Sequence, residues 1–357
     1  MGITVAIIAD DLTGALDTGT PFVAAGLSVA VAVDVENIPS ALRSAPDVLV
    51  VNTASRALSP QQASARVGLA AIGIAMAKPA FVFKKIDSRL KGNVAVESEA
   101  LARAFGYRKL VVAPAIPDQQ RFTRGGAVTG RGVETPLPIL PFFAGPGADL
   151  IIADAQTDED LDRILADHDW SDAVAVGARG LGLALARKLR RPGARPAIFR
   201  PSSKTLFAIG SRDPITEAQM EALTQSGRLA SVLHAPSGAL PDRPDIDLPA
   251  LLRCTGDMTE DSTAVANRFG RAAHGLIQAA APDTVITGGG DTALALLRIL
   301  KAGVLIPKGE IEPGVPWCEI LLENGRQIRV AVKSGGFGTP QTLIKAIETA
   351  PETRQAV

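Results

Sequence analysis

Cysteine is scarce: Cys254 and Cys318 are the only two in 357 residues, too few for a disulfide framework. The three histidines, His168, His234 and His274, are scattered without metal-ligand spacing, so no structural zinc site is expected. Net charge is absent, with 37 Lys and Arg against 37 Asp and Glu. That balance leaves no overall field to gather nucleic acid or an anionic membrane, so an anionic ligand must be held by local clusters. The first nine residues hold no basic segment and only a short apolar run, which predicts neither a signal peptide nor a membrane span. Ala6 breaks the N-myristoylation pattern, and a cytoplasmic location is expected. There is no Walker sequence, no protein-kinase signature and no G-x-S-x-G elbow.

What remains is a well-buried globular composition, 46% hydrophobic and 21% charged. The length suits two domains. Apolar runs at 5–9, 28–33, 48–51, 80–83, 110–113, 150–153 and 173–176 read as short buried strands. Helical stretches at 16–25, 60–77, 96–105, 154–167 and 180–189 lie among them. Unalternating apolar strands separated by helices predict a parallel sheet covered on both faces. Pro, Gly and Arg then punctuate 190–203, as in a linker or a long surface loop. The same rhythm resumes with strands at 206–209, 230–234, 284–287 and 328–333 and helices from 215, around 262–279 and at 292–300. The expected fold is α/β, with two domains, 1–200 and 201–357, each a mainly parallel sheet flanked by helices. The active site is expected in the cleft between them.

Chemistry concentrates at strand ends, where ligands of open α/β sheets bind. Asp10 and Asp11 follow the first strand, and Thr13 reads as a helix cap. The paired carboxylates can accept hydrogen bonds from sugar hydroxyls, or one can act as a base. The plainer alternative is that Asp11 or Thr13 only caps the helix and Asp10 is solvated. Lys84, Lys85, Ile86, Asp87, Ser88, Arg89 and Lys91 follow a second strand and form a local anion site. Arg56 follows a third and is expected to fork onto a carboxylate.

Further on, strand, glycines and helix succeed one another through Thr287, Gly288, Gly289, Gly290, Asp291, Thr292 and Ala293. Glycines let backbone N–H groups approach phosphate oxygens, and the helix N-terminus favours negative charge. The run also fits G-x-G-x-x-A, so a nicotinamide-dependent dehydrogenase is an alternative, with Glu310 at a suitable distance for a ribose contact. Asp291 argues against a bare pyrophosphate site but suits Mg·ATP. The only tyrosine, Tyr107, has no lysine four residues on. Similar turns follow at Gly210-Ser211-Arg212 and at Gly335-Gly336 after Lys333.

Taken in order, these segments resemble the four-carbon acid sugar kinase family, which includes D-threonate, D-erythronate and 3-oxo-tetronate kinases. The resemblance runs through residues 9–17, 85–93, 112–115, 210–212, 287–293, 312–316 and 333–338. It implies a sugar-acid-binding N-terminal domain and an ATP-binding C-terminal domain. It further implies transfer of a phosphoryl group to the terminal hydroxyl, with Mg²⁺ accompanying ATP. By position, Asp10, Asp11, Arg56, Lys85, Ile86, Asp87 and Ser88 would contact substrate. Ser211, Gly288 to Thr292 and Gly335 would contact ATP, with Gly336 beside them; the residues themselves offer Asp291 as either the base or the Mg²⁺ contact, and Asp11 as a second catalytic candidate. The chain departs from the family where the stretch after Pro117 is reduced and where Arg89-Leu90-Lys91 stands, which leaves the substrate open. A non-catalytic sugar-acid sensor is a further alternative, and a homo-oligomer is compatible with all three.

Overall fold

A computed structural model describes residues 2–143, 147–240, 245–257 and 259–347. The chain divides into two compact units, residues 1–196 with 303–307, and residues 197–302 with 308–357.

The first unit is built on β1 (Val5–Ala9), β2 (Val29–Ala32), β3 (Val48–Asn52), β4 (Phe81–Lys85) and β5 (Lys109–Ala113). After β6 (Arg121–Arg124), β7 (Ala127–Gly130) and β8 (Leu137–Pro138) come β9 (Asp149–Ile152) and β10 (Ala173–Gly177). The main sheet runs β2-β3-β1-β4-β10-β5-β9, parallel throughout, with Val304–Leu305 added antiparallel outside β2. The chain reverses its direction of travel at β1, which has β3 on one side and β4 on the other. Ala9 is level with Asn52 and with Lys85, and Lys85 is level with Gly177. Four strands therefore release their loops at one height.

Helices α1 (Leu12–Gly19), α2 (Pro21–Ala24), α3 (Ile38–Leu42), α4 (Pro60–Ala75), α5 (Val94–Phe105), α6 (Asp158–Asp167) and α7 (Arg179–Lys188) cover the sheet. Val67, Ala70 and Ile74 of α4 and Leu101 of α5 join Ile8, Val51, Val82 and Val174 in one apolar cluster. Side chains of opposite parity meet the other layer: a Cβ on Gly19 of α1 would press on Val50 at 2.7 Å. Burying each Leu, Ile or Val stabilises the fold by about 1.5–3 kcal/mol.

Several boundaries depart from the sequence reading. The helix expected at 16–25 is two helices broken at Thr20, because Pro21 has no N–H and opens the second at its first turn. The first starts at Leu12, capped by Asp11 rather than Thr13. The helix expected from 154 starts at Asp158, capped by Thr157. The three-stranded antiparallel sheet β6-β7-β8 was not anticipated.

The second unit holds β11 (Thr205–Ile209), β12 (Ser231–Pro236), β13 (Ala250–Thr255) and β14 (Thr284–Gly288). Beyond β15, the Val304–Leu305 strand placed above, come β16 (Pro307–Glu310), β17 (Pro316–Leu321) and β18 (Gln327–Lys333). Their order is β12-β13-β11-β14-β18-β17-β16, parallel from β12 to β18, with β17 antiparallel to β18. Helix α8 (Pro214–Gln225) gives Met220 and Leu223 to a cluster with Phe207, Ile286 and Trp317. Helices α9 (Ser262–Ala280) and α10 (Gly290–Ile299) pack on each other. Each unit is thus a mainly parallel sheet flanked by helices. No helix among the described residues is long and apolar enough to cross a membrane.

One buried ion pair ties the first sheet to its helical layer. Lys84 Nζ lies 2.8 Å from Glu97 Oε2 with both side chains out of solvent, and Ser55 Oγ donates to Glu97 Oε1 at 2.6 Å. Lys84 thus turns inward, away from the anion site expected around residues 84–91. Removing one partner strands a buried charge, so Glu97→Ala is expected to cost about 3–5 kcal/mol in urea denaturation. The double replacement Lys84→Met with Glu97→Leu is expected to recover most of that loss.

Candidate functional site

In the first unit, the carboxyl ends of β1, β3 and β4 bring together most of the expected substrate contacts. Asp10 is 3% exposed, buried rather than solvated. Arg56 Nε and Nη2 reach its two oxygens at 2.8 and 2.9 Å, a bidentate pair, while Nη1 reaches Asp11 Oδ2 at 2.8 Å. Burial alone would push the Asp10 carboxyl up; Arg56, Lys84 and Lys85 overcome it and hold the group below the usual carboxylate range. Burial would depress the Arg56 guanidinium, but Asp11 and Asp10 raise it above the ordinary arginine value. Arg56 thus forks onto a carboxylate of the protein itself, with three of its five N–H donors spent on Asp10 and Asp11. Asp11 is a helix cap as well, accepting from Gly14 N–H at 2.9 Å and from Thr13 Oγ1 at 2.8 Å.

Lys85 Nζ stands at the start of α1, 2.9 Å from where a Cβ on Gly14 would lie. It donates to the Ile86 carbonyl at 3.0 Å. Ile86, also expected to meet substrate, points its side chain into the core and gives its N–H to Gly177. Asp87 accepts from the Arg89 N–H at 2.8 Å, and Ser88 Oγ accepts from Arg121 Nη1 at 2.5 Å. Gly92 and Asn93 have a mechanical reason to be there. Gly92 has φ +87° and packs against Asp10 and Arg56, while Asn93 Nδ2 donates to the carbonyls of Ser55 and Leu58. They clamp the loop that carries Arg56. Arg121, on β6, was missed because its strand was missed.

In the second unit, β11, β14 and β18 are adjacent parallel strands, so the three small-residue turns that follow them interlock. A Cβ on Gly210 would collide with Thr292 Oγ1, and one on Gly335 would come within 3.0 Å of Asp213 Cβ. Gly289 has φ +100° and lies against Ser211. Much of this backbone is spent internally. Gly210 and Ser211 donate to the Gly288 carbonyl at 3.0 and 3.1 Å, and Gly289 donates to the Lys333 carbonyl at 3.1 Å. The N–H groups of Ser211 and Gly289 are thus engaged within the turns, and Gly288 takes part as an acceptor. Gly290, Asp291 and Thr292, in the first turn of α10, have no intrahelical acceptor for their N–H groups. Beside them lies a cavity of about 260 Å³ with an apolar wall from Val265, Ala266 and Phe269. Glu310, the candidate ribose contact, accepts the Gly314 N–H at 3.0 Å.

Lys333 braces the third turn from beneath. Its side chain is fully buried, and Nζ donates to Thr216 Oγ1 at 2.9 Å and to the carbonyls of Ser334 and Gly335 at 2.9 and 3.1 Å. Burial pulls it down from 10.5 to about 8, against Asp213 and Glu312.

A sugar-binding N-terminal domain matches residues 5–137, and a nucleotide-binding C-terminal domain matches residues 243–343. A D-threonate kinase of Cupriavidus necator is 30% identical, over 98% of this chain and 98% of its own. The chain belongs to the four-carbon acid sugar kinase family. A D-threonate kinase of Bordetella bronchiseptica is 29% identical, over 99% of both chains. The fold is shared with a Haemophilus influenzae crystal structure once classed only as a domain of unknown function. It superposes with a TM-score of 0.69 at 21% identity, over 96% of this chain and 98% of that one. The half-sites described above fall in or beside the two matched domains of this kinase family.

Two outcomes follow. Gly210→Ala is expected to weaken ATP binding about tenfold in calorimetry by prising Thr292 from the turn, leaving sugar-acid binding unchanged. The unfolded chain keeps the Lys333 proton up to 10.5 and the folded chain releases it near 8, so stability is expected to rise with pH across that window. Urea midpoints should show that rise in the native chain and its loss in Lys333→Met.

Proposed function

We propose that the protein is an ATP-dependent kinase that phosphorylates the terminal hydroxyl of a four-carbon sugar acid of the threonate, erythronate or 3-oxo-tetronate type. The observation that carries this reading is the interlock of the Gly210, Gly289 and Gly335 turns around a helix N-terminus beside an apolar slot. Phosphates suit the turn and helix end, and a purine suits the slot. Membership of a family whose relatives are named D-threonate kinases supports the acceptor class.

Phosphoryl transfer asks the protein for positioning and charge compensation more than for covalent chemistry. In the first unit, Asp10, Asp11 and Asp87 orient hydroxyls of the acid, and Lys85 offers a cation beside them. Asp11, already accepting three hydrogen bonds, is better placed to orient a hydroxyl than to remove its proton. In the second unit, the N–H groups of Gly290 to Thr292 receive phosphate oxygens. The reaction requires the accepting hydroxyl to meet the γ-phosphate with water kept out while the phosphoryl group is in transit.

Mg²⁺ fits this chemistry through Asp291. A carboxylate in the first turn of α10 would repel phosphate unless a cation stood between them, and Asp257 and Glu260 line the same cavity. Among the described residues no group of three or more His, Cys, Asp or Glu is placed to hold a metal ion. A cation carried by the nucleotide would neutralise developing charge on the transferring group. A cytoplasmic enzyme fits this use of ATP.

An ADP-release assay over erythronate, both threonates and the oxo-tetronates tests the reading; silence with every acid, alongside tight acid binding, would favour a sensor. Asp291→Asn is expected to lower turnover on the order of 10²-fold with the fold intact and to raise the Mg²⁺ requirement. Near-normal turnover would remove Asp291 from the mechanism.

A further inference from the structure

Asp10 and Asp11 compensate the charge of Arg56, so the carboxylate of the acid needs another cationic partner. A second cationic group sits in the same unit. Arg121, on β6, donates through Nη1 to Ser88 Oγ at 2.5 Å and through Nε and Nη2 to the Arg131 carbonyl at 3.2 and 3.1 Å. A Cβ placed on Gly132 would lie 3.7 Å from Arg121 Nη2 and 3.8 Å from Arg89 Nη1, so the two guanidinium groups face a common space. Among the described residues no carboxylate forms an ion pair with Arg89, Arg121 or Arg131. Asp87 is the nearby acid, and one of its oxygens is taken by the Arg89 N–H. Burial first, and then Arg89, push the Arg121 guanidinium below the ordinary arginine value while Asp87 opposes them. Like charges held together with so little compensation are stabilised by an anion.

We propose that Arg89 and Arg121 form the carboxylate clamp of the sugar acid, with Arg131 adding charge at its rim. The proposal rests on the kinase reading for its ligand and deepens it. Two features support it. The cluster is tied through Ser88 to the strand-end loop that carries Asp87. Guanidinium forks match a planar carboxylate in two parallel hydrogen bonds. Fixing the carboxylate end of a four-carbon chain decides which hydroxyl is presented for transfer.

The test compares calorimetric binding of D-threonate with its neutral amide, in the full chain and in Arg89→Gln and Arg121→Gln, with ATP affinity as the check on folding. The native chain is expected to favour the acid, and each variant to lose about tenfold of that preference while keeping its ATP affinity. If Arg121→Gln fails to fold, the exposed Arg89 variant carries the test. An unchanged preference, in a native chain that releases ADP with a tetronate, overturns the clamp and leaves the kinase standing. A lost preference, in a chain that releases ADP with no tetronate, keeps the clamp and overturns the kinase. If no tetronate binds the native chain, both fall.

Discussion

Parallel strands in register all end on the same side of their sheet, and both half-sites depend on that constraint. In the first unit Ala9, Asn52, Lys85 and Gly177 stand side by side, so residues far apart in the chain leave the sheet at one height. In the second, Ile209, Gly288 and Lys333 do the same. Antiparallel strands would scatter these loops to opposite edges. The chemistry can be built from short turns because the sheets have already brought them together.

Within that frame the two units meet charge differently. The first neutralises its own: Asp10 and Asp11 take up Arg56, and Glu97 takes up Lys84 in the core. These pairs fix the loops and the layer that carry them. The second unit uses little net charge. Its turns approach one another closely, which glycine permits, and the first amides of α10 have no intrahelical acceptor.

The order of the strand-end motifs was legible because their signals are local. An apolar run followed by carboxylates, or by three glycines and a helix, announces a strand end with a polar loop. The parallel α/β character followed from unalternating apolar strands. Less legible were the antiparallel strands β6 to β8. The pair Gly125-Gly126, both at positive φ, is a hairpin signal, but the flanking strands are short and mostly polar. With them went Arg121.

The sequence alone determined which residues could carry charge, where glycine would let the backbone turn, and that the folds would be parallel and buried. Those properties belong to single residues and their immediate neighbours. Only the tertiary structure decided who partners whom. The carboxylate onto which Arg56 forks comes from Asp10, 46 positions away. Lys84 and Lys85 look alike until the alternation of a strand sends one to Glu97 and the other to the helix start at Gly14. A side chain's role is set by the groups that surround it, and in a parallel sheet those come from segments that no local pattern connects.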